Sequence, residues 1–334
     1  MWQIVGHEAA VGLLDRSLKN GRLAHAYLLV GPPHVGKMRL AKELAKALNC
    51  SGEDRPCGVC AQCRRIEGGS HADVQVIGVD AKTEIGIDQM REMQHCASLK
   101  PFEGRCRVFI VDGAEHLSRE ATNCLLKTLE EPPPAVQLMV LTANDRSVLP
   151  TVLSRCQRLE LQPLPLAVVQ KALVERSGIG PERAAMLAHV SGGCLGWAMA
   201  AVSDDRILEE RSEKLSALLR LHRADSLERF TCASDLAGRF LRDRESVYRV
   251  LSLWTTWWRD LLLIKSGCSQ FICNIDYGER LDEEAQSYGM RQAKEFLNNL
   301  RQVKVQLEQN ANPRLVLDVL MLSLTKRKGE QFSQ

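Results

Sequence analysis

At 334 residues the chain has room for two or three domains of roughly 100–200 residues each. Hydrophobic residues make up 45% and charged residues 25%, a balance that excludes disordered, collagen-like and coiled-coil classes. The net charge is only +3, so the chain is no bulk polyanion binder, and contact with nucleic acid must come from a local patch or a partner. The longest apolar stretches, such as residues 138–141, fall far short of the roughly 20 residues a bilayer needs, so no contact with a membrane is expected. The start, MWQIVGHEAAVGLL, lacks a basic segment followed by a long apolar run, which predicts no secretory signal. Twelve cysteines in such a chain fit a cytoplasmic protein with metal-binding thiols better than a disulfide framework.

In chain order, the apolar run 26–30 ending at Gly31 reads as a buried parallel strand entering a glycine turn. Residues 37–49 then predict a helix, with Leu40, Leu44, Ala47 and Leu48 on one face and Lys42, Glu43 and Lys46 on another. Further strands are predicted at 74–79, at 108–111 ending on Asp112, at 137–142 and at 158–161. Between them, Leu117, Ala121, Leu125 and Leu129 predict a helix with Ser118 as N-cap, stopping before Pro132-Pro133-Pro134. Alternating strands and helices predict a doubly wound α/β sheet. Pro163 and Pro165 mark a boundary, after which helices are predicted at 166–177, 181–190 and from Leu195. From about residue 204 onward the chain reads as all-α. The clearest helix is 247–262, where Val247, Val250, Leu251, Trp254, Trp257, Trp258 and Leu261 form one stripe and Asp260 lies elsewhere. Asn312-Pro313 opens a last helix. The tryptophans read as packing rather than as a base-stacking platform.

GPPHVGKM at 31–38 fits the phosphate-loop pattern G-x-x-x-x-G-K and then departs from it. Gly31 and Gly36 let the backbone wrap a phosphate chain, and Lys37 supplies charge to it, with the following helix N-terminus adding its dipole. Met38 stands where Ser or Thr ligates Mg²⁺, and a thioether does not serve a hard cation. The pattern therefore favours binding of ATP or ADP without efficient hydrolysis, with Mg²⁺ disfavoured; a glycine turn that binds nothing is the plain alternative. Asp112 ends a strand where a P-loop ATPase holds Mg²⁺, or it only caps the next turn. The next residue, often the carboxylate that activates water, is Gly113; Glu115 is expected to point elsewhere. Thr142 and Asn144 stand at a strand end, where a polar side chain orients water near a γ-phosphate or simply shapes a turn.

Cys50, Cys57, Cys60 and Cys63 read C-x₆-C-x₂-C-x₂-C among turn formers, a pattern for four thiolates on one tetrahedral Zn²⁺. No open position is implied, so the site is structural; an iron–sulfur cluster could use the same ligands. Arg155, in Ser154-Arg155-Cys156, is either a solvated surface charge or a phosphoryl-stabilising arginine acting in cis or on a neighbouring subunit.

GRLAHAYLLVGPPHVGK, the four-cysteine insertion, NCLLKTLEEPPP at 123–134 and LPTVLSRCQRLELQPL at 149–164 together resemble the AAA+ subunits of the bacterial DNA polymerase III clamp loader, the delta-prime type above all. The resemblance is strong over about the first 200 residues. It implies an AAA+ core over 1–164 with a zinc insertion at 50–63, a small helical lid over 165–203 and a helical collar for oligomerisation over 204–334. It implies that Arg155 acts as an arginine finger on ATP held by an adjacent subunit, that Val5 and its neighbours Ile4 to His7 lie against adenine, and that Thr142 or Asn144 takes the first sensor position. The second sensor usually offers an arginine near Gly196, where this chain has Trp197. The implied partners are gamma/tau-type motor subunits, a delta subunit, the sliding clamp and, within the complex, primer–template DNA.

Three functions compete: a non-hydrolysing assembly subunit, an active gamma/tau-like ATPase, and a DNA-binding module. Met38 and Gly113 speak against the second, and the near-neutral charge speaks against the third as a primary role.

Overall fold

The computed structural model describes residues 2–79 and 84–324. The chain divides into two units, one running up to Ala172 together with Cys194–Trp197, the other comprising Leu173–Gly193 and the chain from Ala198 onward.

The first unit is built on five parallel strands: β1 (Ala26–Val30), β2 (Val74–Ile77), β3 (Arg107–Asp112), β4 (Val136–Thr142) and β5 (Gln157–Glu160). Their order across the sheet is β2-β3-β4-β1-β5. All five residues of β1 are buried, which is why its sequence runs apolar without alternation. Alternate residues still serve opposite faces. Ala26, Leu28, Val30, Leu138 and Val140 join one core cluster, and Tyr27, Leu29, Met139 and Leu141 join the other. The register sets Val30 beside Thr142 and Glu160, and Asp112 beside Leu141. The carboxyl ends of β1, β3 and β4 therefore meet along one edge, where α/β sheets place their ligand crevice.

Six helices flank the strands: α1 (Glu8–Lys19), α2 (Lys37–Asn49), α3 (Ala61–Glu67), α4 (Ile87–Ser98), α5 (Arg119–Glu130) and α6 (Pro150–Leu153). The predicted strands and α2 and α5 lie where the sequence puts them, to within two residues at each end, and Ser118 caps α5 by accepting the Ala121 N–H at 3.1 Å. The charged face of α2 is not solvated. Glu43 and Lys46 are buried beneath α3, where Lys46 is paired with both Glu43 and Glu67, and Arg39 reaches the same two carboxylates. A closed ion network makes burial of these charges tolerable.

α7 (Leu166–Ser177) carries the chain from one unit into the other. The second unit is helical: α8 (Pro181–Val190), α9 (Leu195–Ser203), α10 (Arg206–Leu221), α11 (Ser226–Phe240), α12 (Arg244–Lys265), α13 (Gly278–Ser287), α14 (Met290–Glu308) and α15 (Pro313–Ser323). Its core forms around the α12 stripe. Trp254, Trp257 and Trp258 are buried, and the Trp258 ring sits 4.6 Å from Phe296 and 4.9 Å from Tyr288 between centroids, so the tryptophans are packing. Asp260 is buried on the same helix rather than displayed away from the core. It accepts the Cys273 N–H at 2.9 Å, and the Asn274 N–H and side-chain amide at 2.8 and 2.7 Å. No helix among the described residues is long and apolar enough to cross a membrane.

Asp73 shows how a loop in the first unit is held. Its buried carboxylate accepts N–H bonds from Phe102, Glu103 and Gly104 at 2.7 to 2.8 Å. Burial alone would raise this carboxyl; the three N–H groups and Arg107 outweigh it and hold it below 3.8. A depressed folded value means that the stabilisation is complete above the unfolded carboxyl's range and is lost as pH falls through the folded value. Asp73→Asn is expected to cost roughly 1–3 kcal/mol at neutral pH, with the gap to the parent closing below about pH 4. Urea titrations across pH check this, and a gap that stays constant into acid contradicts it.

Candidate phosphate site and cysteine knuckle

The turn after β1 is fixed from several sides. The Gly31 N–H donates to the Thr142 carbonyl at 3.2 Å, and a Cβ at Gly31 would run into the Leu161 carbonyl oxygen. Only glycine lets the two strands' ends approach this closely. His7 lies with Nε2 3.0 Å from the Val35 carbonyl, so that nitrogen carries the proton. The half-buried Val5 precedes it, which brings the 4–7 segment against the turn. From the far side the Gly196 N–H, within Cys194–Trp197, donates to the His34 carbonyl at 3.0 Å. Gly196 packs so tightly there that a Cβ would lie 2.7 Å from that oxygen. Residue types do not announce this contact, because its partners stand 162 positions apart (196 − 34) and nothing in their chemistry pairs them.

Lys37 opens α2 and folds back on the turn. Its Nζ donates to the Gly31 carbonyl at 2.5 Å and to the Pro32 carbonyl at 2.9 Å. Burial holds its pKa below the ordinary lysine value, against the opposing pull of Glu115 and Asp112. Asp112 lies at the open end of β3; partial burial raises its carboxyl against the pull of Lys37. Met38 packs against the apolar cluster of this face and offers no oxygen.

Glu115 does not point away. Its carboxylate accepts the Thr142 hydroxyl at 2.7 Å and the Ala143 N–H at 3.2 Å, at the end of β4. The Thr142 oxygen in turn accepts the Asn144 N–H at 3.1 Å, and Asn144 caps the following turn by accepting the Arg146 N–H at 3.1 Å. Gly113 has φ of 84°, left-handed, and a Cβ there would lie 2.9 Å from the His116 ring. A glutamate at that position would thus be strained in backbone and crowded in side chain. The edge brings together Gly31, Lys37, Asp112, Thr142 and Glu115. Asn144 lies one turn further on, and Gly36 ends the loop as the N-cap of α2.

Arg155 sits elsewhere. It follows α6, with Nη1 on the Thr151 carbonyl at 3.0 Å and the Ser154 hydroxyl at 3.2 Å, and Nη2 on Glu130 Oε1 at 2.8 Å. None of these partners belongs to the phosphate turn. Glu130 ends α5 within the LLKTLEEPPP segment, so two separate motifs converge on one ion pair that neither announced alone.

The four cysteines do converge. Cys50 caps the C-terminal end of α2, Cys60 caps the start of α3, and the four sulfurs all lie within 4.8 Å of one another. Cys50 Sγ and Cys60 Sγ are 3.9 Å apart. Tetrahedral thiolates about 2.3 Å from a central ion stand about 3.8 Å apart, so the set fits a four-sulfur metal site. Backbone N–H groups of Gly52 and Cys57 point at Cys50 Sγ, that of Cys60 at Cys57 Sγ and that of Cys63 at Cys60 Sγ. Burial works to raise the Cys60 thiol, but the Cys63 N–H and the Ser51 hydroxyl and N–H outweigh it and bring it down to about 5. Burial, helped by the neighbouring thiols, pushes Cys63 up to about 12. Four sulfurs this close do not all ionise unless a cation neutralises them.

A five-stranded parallel sheet of this order, with a glycine–lysine turn after β1, which lies between β4 and β5, is a P-loop fold of the AAA+ class. A sequence model of the family described as "DNA polymerase III, delta subunit" matches residues 6–165. The delta' subunit of DNA polymerase III from Bacillus subtilis is 28% identical over 93% of this chain and 94% of its own length. The tau subunit from Escherichia coli is 38% identical over 51% of this chain, which spans only 26% of that relative's length. A gamma subunit-related protein of DNA polymerase III from Thermotoga maritima is similar in structure at 17% identity, with a TM-score of 0.43 over 93% of this chain and 98% of that one. The chain is thus similar to clamp-loader subunits of DNA polymerase III, and over its whole length to the delta' type.

A chain purified under reducing conditions is expected to carry about one metal ion, on the four-thiolate rule. Cys63→Ser is expected to lose it and to open the 50–63 segment to protease. Elemental analysis with limited proteolysis checks this; a metal-free parent protein contradicts it.

Proposed function

We propose that the chain is a stator of the clamp loader: a subunit that does not hydrolyse ATP itself and presents Arg155 to ATP held by a neighbouring gamma/tau-type motor. The observation that carries this reading is the state of the acidic edge. The position after the strand-end aspartate is Gly113, which carries no carboxylate and where a left-handed backbone and the His116 ring disfavour a glutamate, and the Glu115 carboxylate is turned onto Thr142 and Ala143. A water-activating carboxylate needs a free lone pair aimed at the water. Met38 removes the hydroxyl that would hold Mg²⁺.

Val5, Gly31, Gly36, Lys37, Met38, Asp112, Thr142 and Asn144 would line ATP or ADP, with either Thr142 or Asn144 as first sensor. For phosphates to take Lys37, they must displace the carbonyls of Gly31 and Pro32. The cysteine knuckle is read as a structural Zn²⁺ site, because all four tetrahedral positions are protein sulfurs and none is left for substrate. On this reading the chain divides into core, lid and collar at residues 164 and 203. It acts in the cytoplasm with motor subunits, a delta subunit, the sliding clamp and primer–template DNA. The tau relatives, more identical over the first half of the chain, are what support the alternative, an active motor.

In a loader reconstituted from this chain and its partner subunits, Arg155→Ala is expected to lower DNA-stimulated ATP turnover at least tenfold, the scale of a lost arginine finger being 10³ or more at full effect. The variant itself stays folded, because its ion pair is exposed. Unchanged turnover in a correctly assembled complex removes the in-trans assignment.

A further inference from the structure

We propose that Glu130 is a latch on Arg155: in the unassembled chain its carboxylate is ion-paired with the Nη2 that a phosphoryl group would need, and loosening that pair is part of presenting the arginine. The inference rests on the reading of Arg155 as a group acting on a neighbour and concerns the control of that same group.

A guanidinium offers five N–H donors in a rigid fork. In Arg155 the Nη1 donors are spent on the Thr151 carbonyl and the Ser154 hydroxyl. Nε has no partner among the described residues, and Nη2 meets Glu130. Nε and Nη2 share one edge of the plane, so this is the edge left for a two-donor contact with a planar or tetrahedral oxyanion. Glu130 sits on half of it. A carboxylate and a phosphoryl group on one edge repel each other, so the second requires the first to yield.

The pair is built to yield. The two side chains are 36% and 51% exposed, which leaves water to receive either one. Glu130 is the last residue of α5, at the negative end of the helix dipole, where a carboxylate is disfavoured unless a cation compensates. Arg155 is that cation, which holds the latch closed in the unassembled chain, while the exposure of both side chains lets it open. Pro132, Pro133 and Pro134 follow directly and stiffen the backbone beyond Glu131, so motion of the pair falls to the side chains.

The test uses the reconstituted loader with four versions of this chain: parent, Arg155→Ala, Glu130→Gln and the double variant. Glu130→Gln keeps the shape and removes the charge. The latch predicts that it raises the kcat for ATP about two- to fivefold, the range an exposed ion pair supplies, with KM and the thermal midpoint of the chain unchanged. It predicts that the double variant matches Arg155→Ala alone. If Arg155→Ala lowers turnover while Glu130→Gln equals the parent, the latch is wrong and the in-trans reading stands. A fall in Glu130→Gln toward the Arg155→Ala level likewise overturns the latch, making Glu130 a support for the arginine. If Arg155→Ala has no effect, the reading beneath the latch fails and the latch fails with it.

Discussion

The ammonium of Lys37, closed onto the carbonyls of its own turn, is the constraint around which the first unit's working edge is arranged. A charge taken out of water must be met by acceptors, and here the acceptors are backbone oxygens of Gly31 and Pro32, backed by the fields of Asp112 and Glu115. The turn in turn cannot drift. β1 is buried along its whole length between β4 and β5, and the His7 ring and the Gly196 N–H hold the Val35 and His34 carbonyls. The result is a phosphate loop with its shape intact and its chemistry curtailed. The geometry for wrapping an anion remains, while Met38 supplies no hydroxyl for a metal and Gly113 no carboxylate for a water.

The same helix joins this turn to the cysteine knuckle. α2 begins at Lys37 and ends at Asn49, about 20 Å at 1.5 Å per residue, and its C-cap is Cys50. Between the two ends, Lys46 and Arg39, each also paired with Glu43, lock the helix to Glu67 on α3, the helix that Cys60 caps and that carries Cys63. A metal on the four sulfurs would therefore brace the far end of the rod whose near end carries the lysine. This gives a structural ion a mechanical role without any place for it in the reaction.

Much of this was legible in the sequence where the signal is local. Apolar runs ending in Gly31, Asp112 and Thr142 marked the strands because strands buried on both faces need no polar alternation. The cysteine spacing announced its own convergence, because ligands two residues apart can grip one ion. α1 carries the same local signal, with Ala10 and Leu14 buried and Val11 and Leu13 packed beside them. What stayed hidden was long-range polar pairing. Glu43, Lys46 and Asp260 look in sequence like solvated faces of amphipathic helices, and burial became tolerable only through partners on other elements. Glu115 meeting Thr142, Glu130 meeting Arg155, and Gly196 meeting His34 follow from strand register and helix docking, which residue types do not specify.

The most direct test of the account is phosphate release from ATP by the isolated chain with Mg²⁺ present, set against Lys37→Ala. The account predicts no release above that control, because the turn retains charge and shape while Met38 and Gly113 lack the hydroxyl and the carboxylate that hydrolysis would use. Clear turnover that disappears with Lys37→Ala would contradict it and would make the chain a motor in its own right.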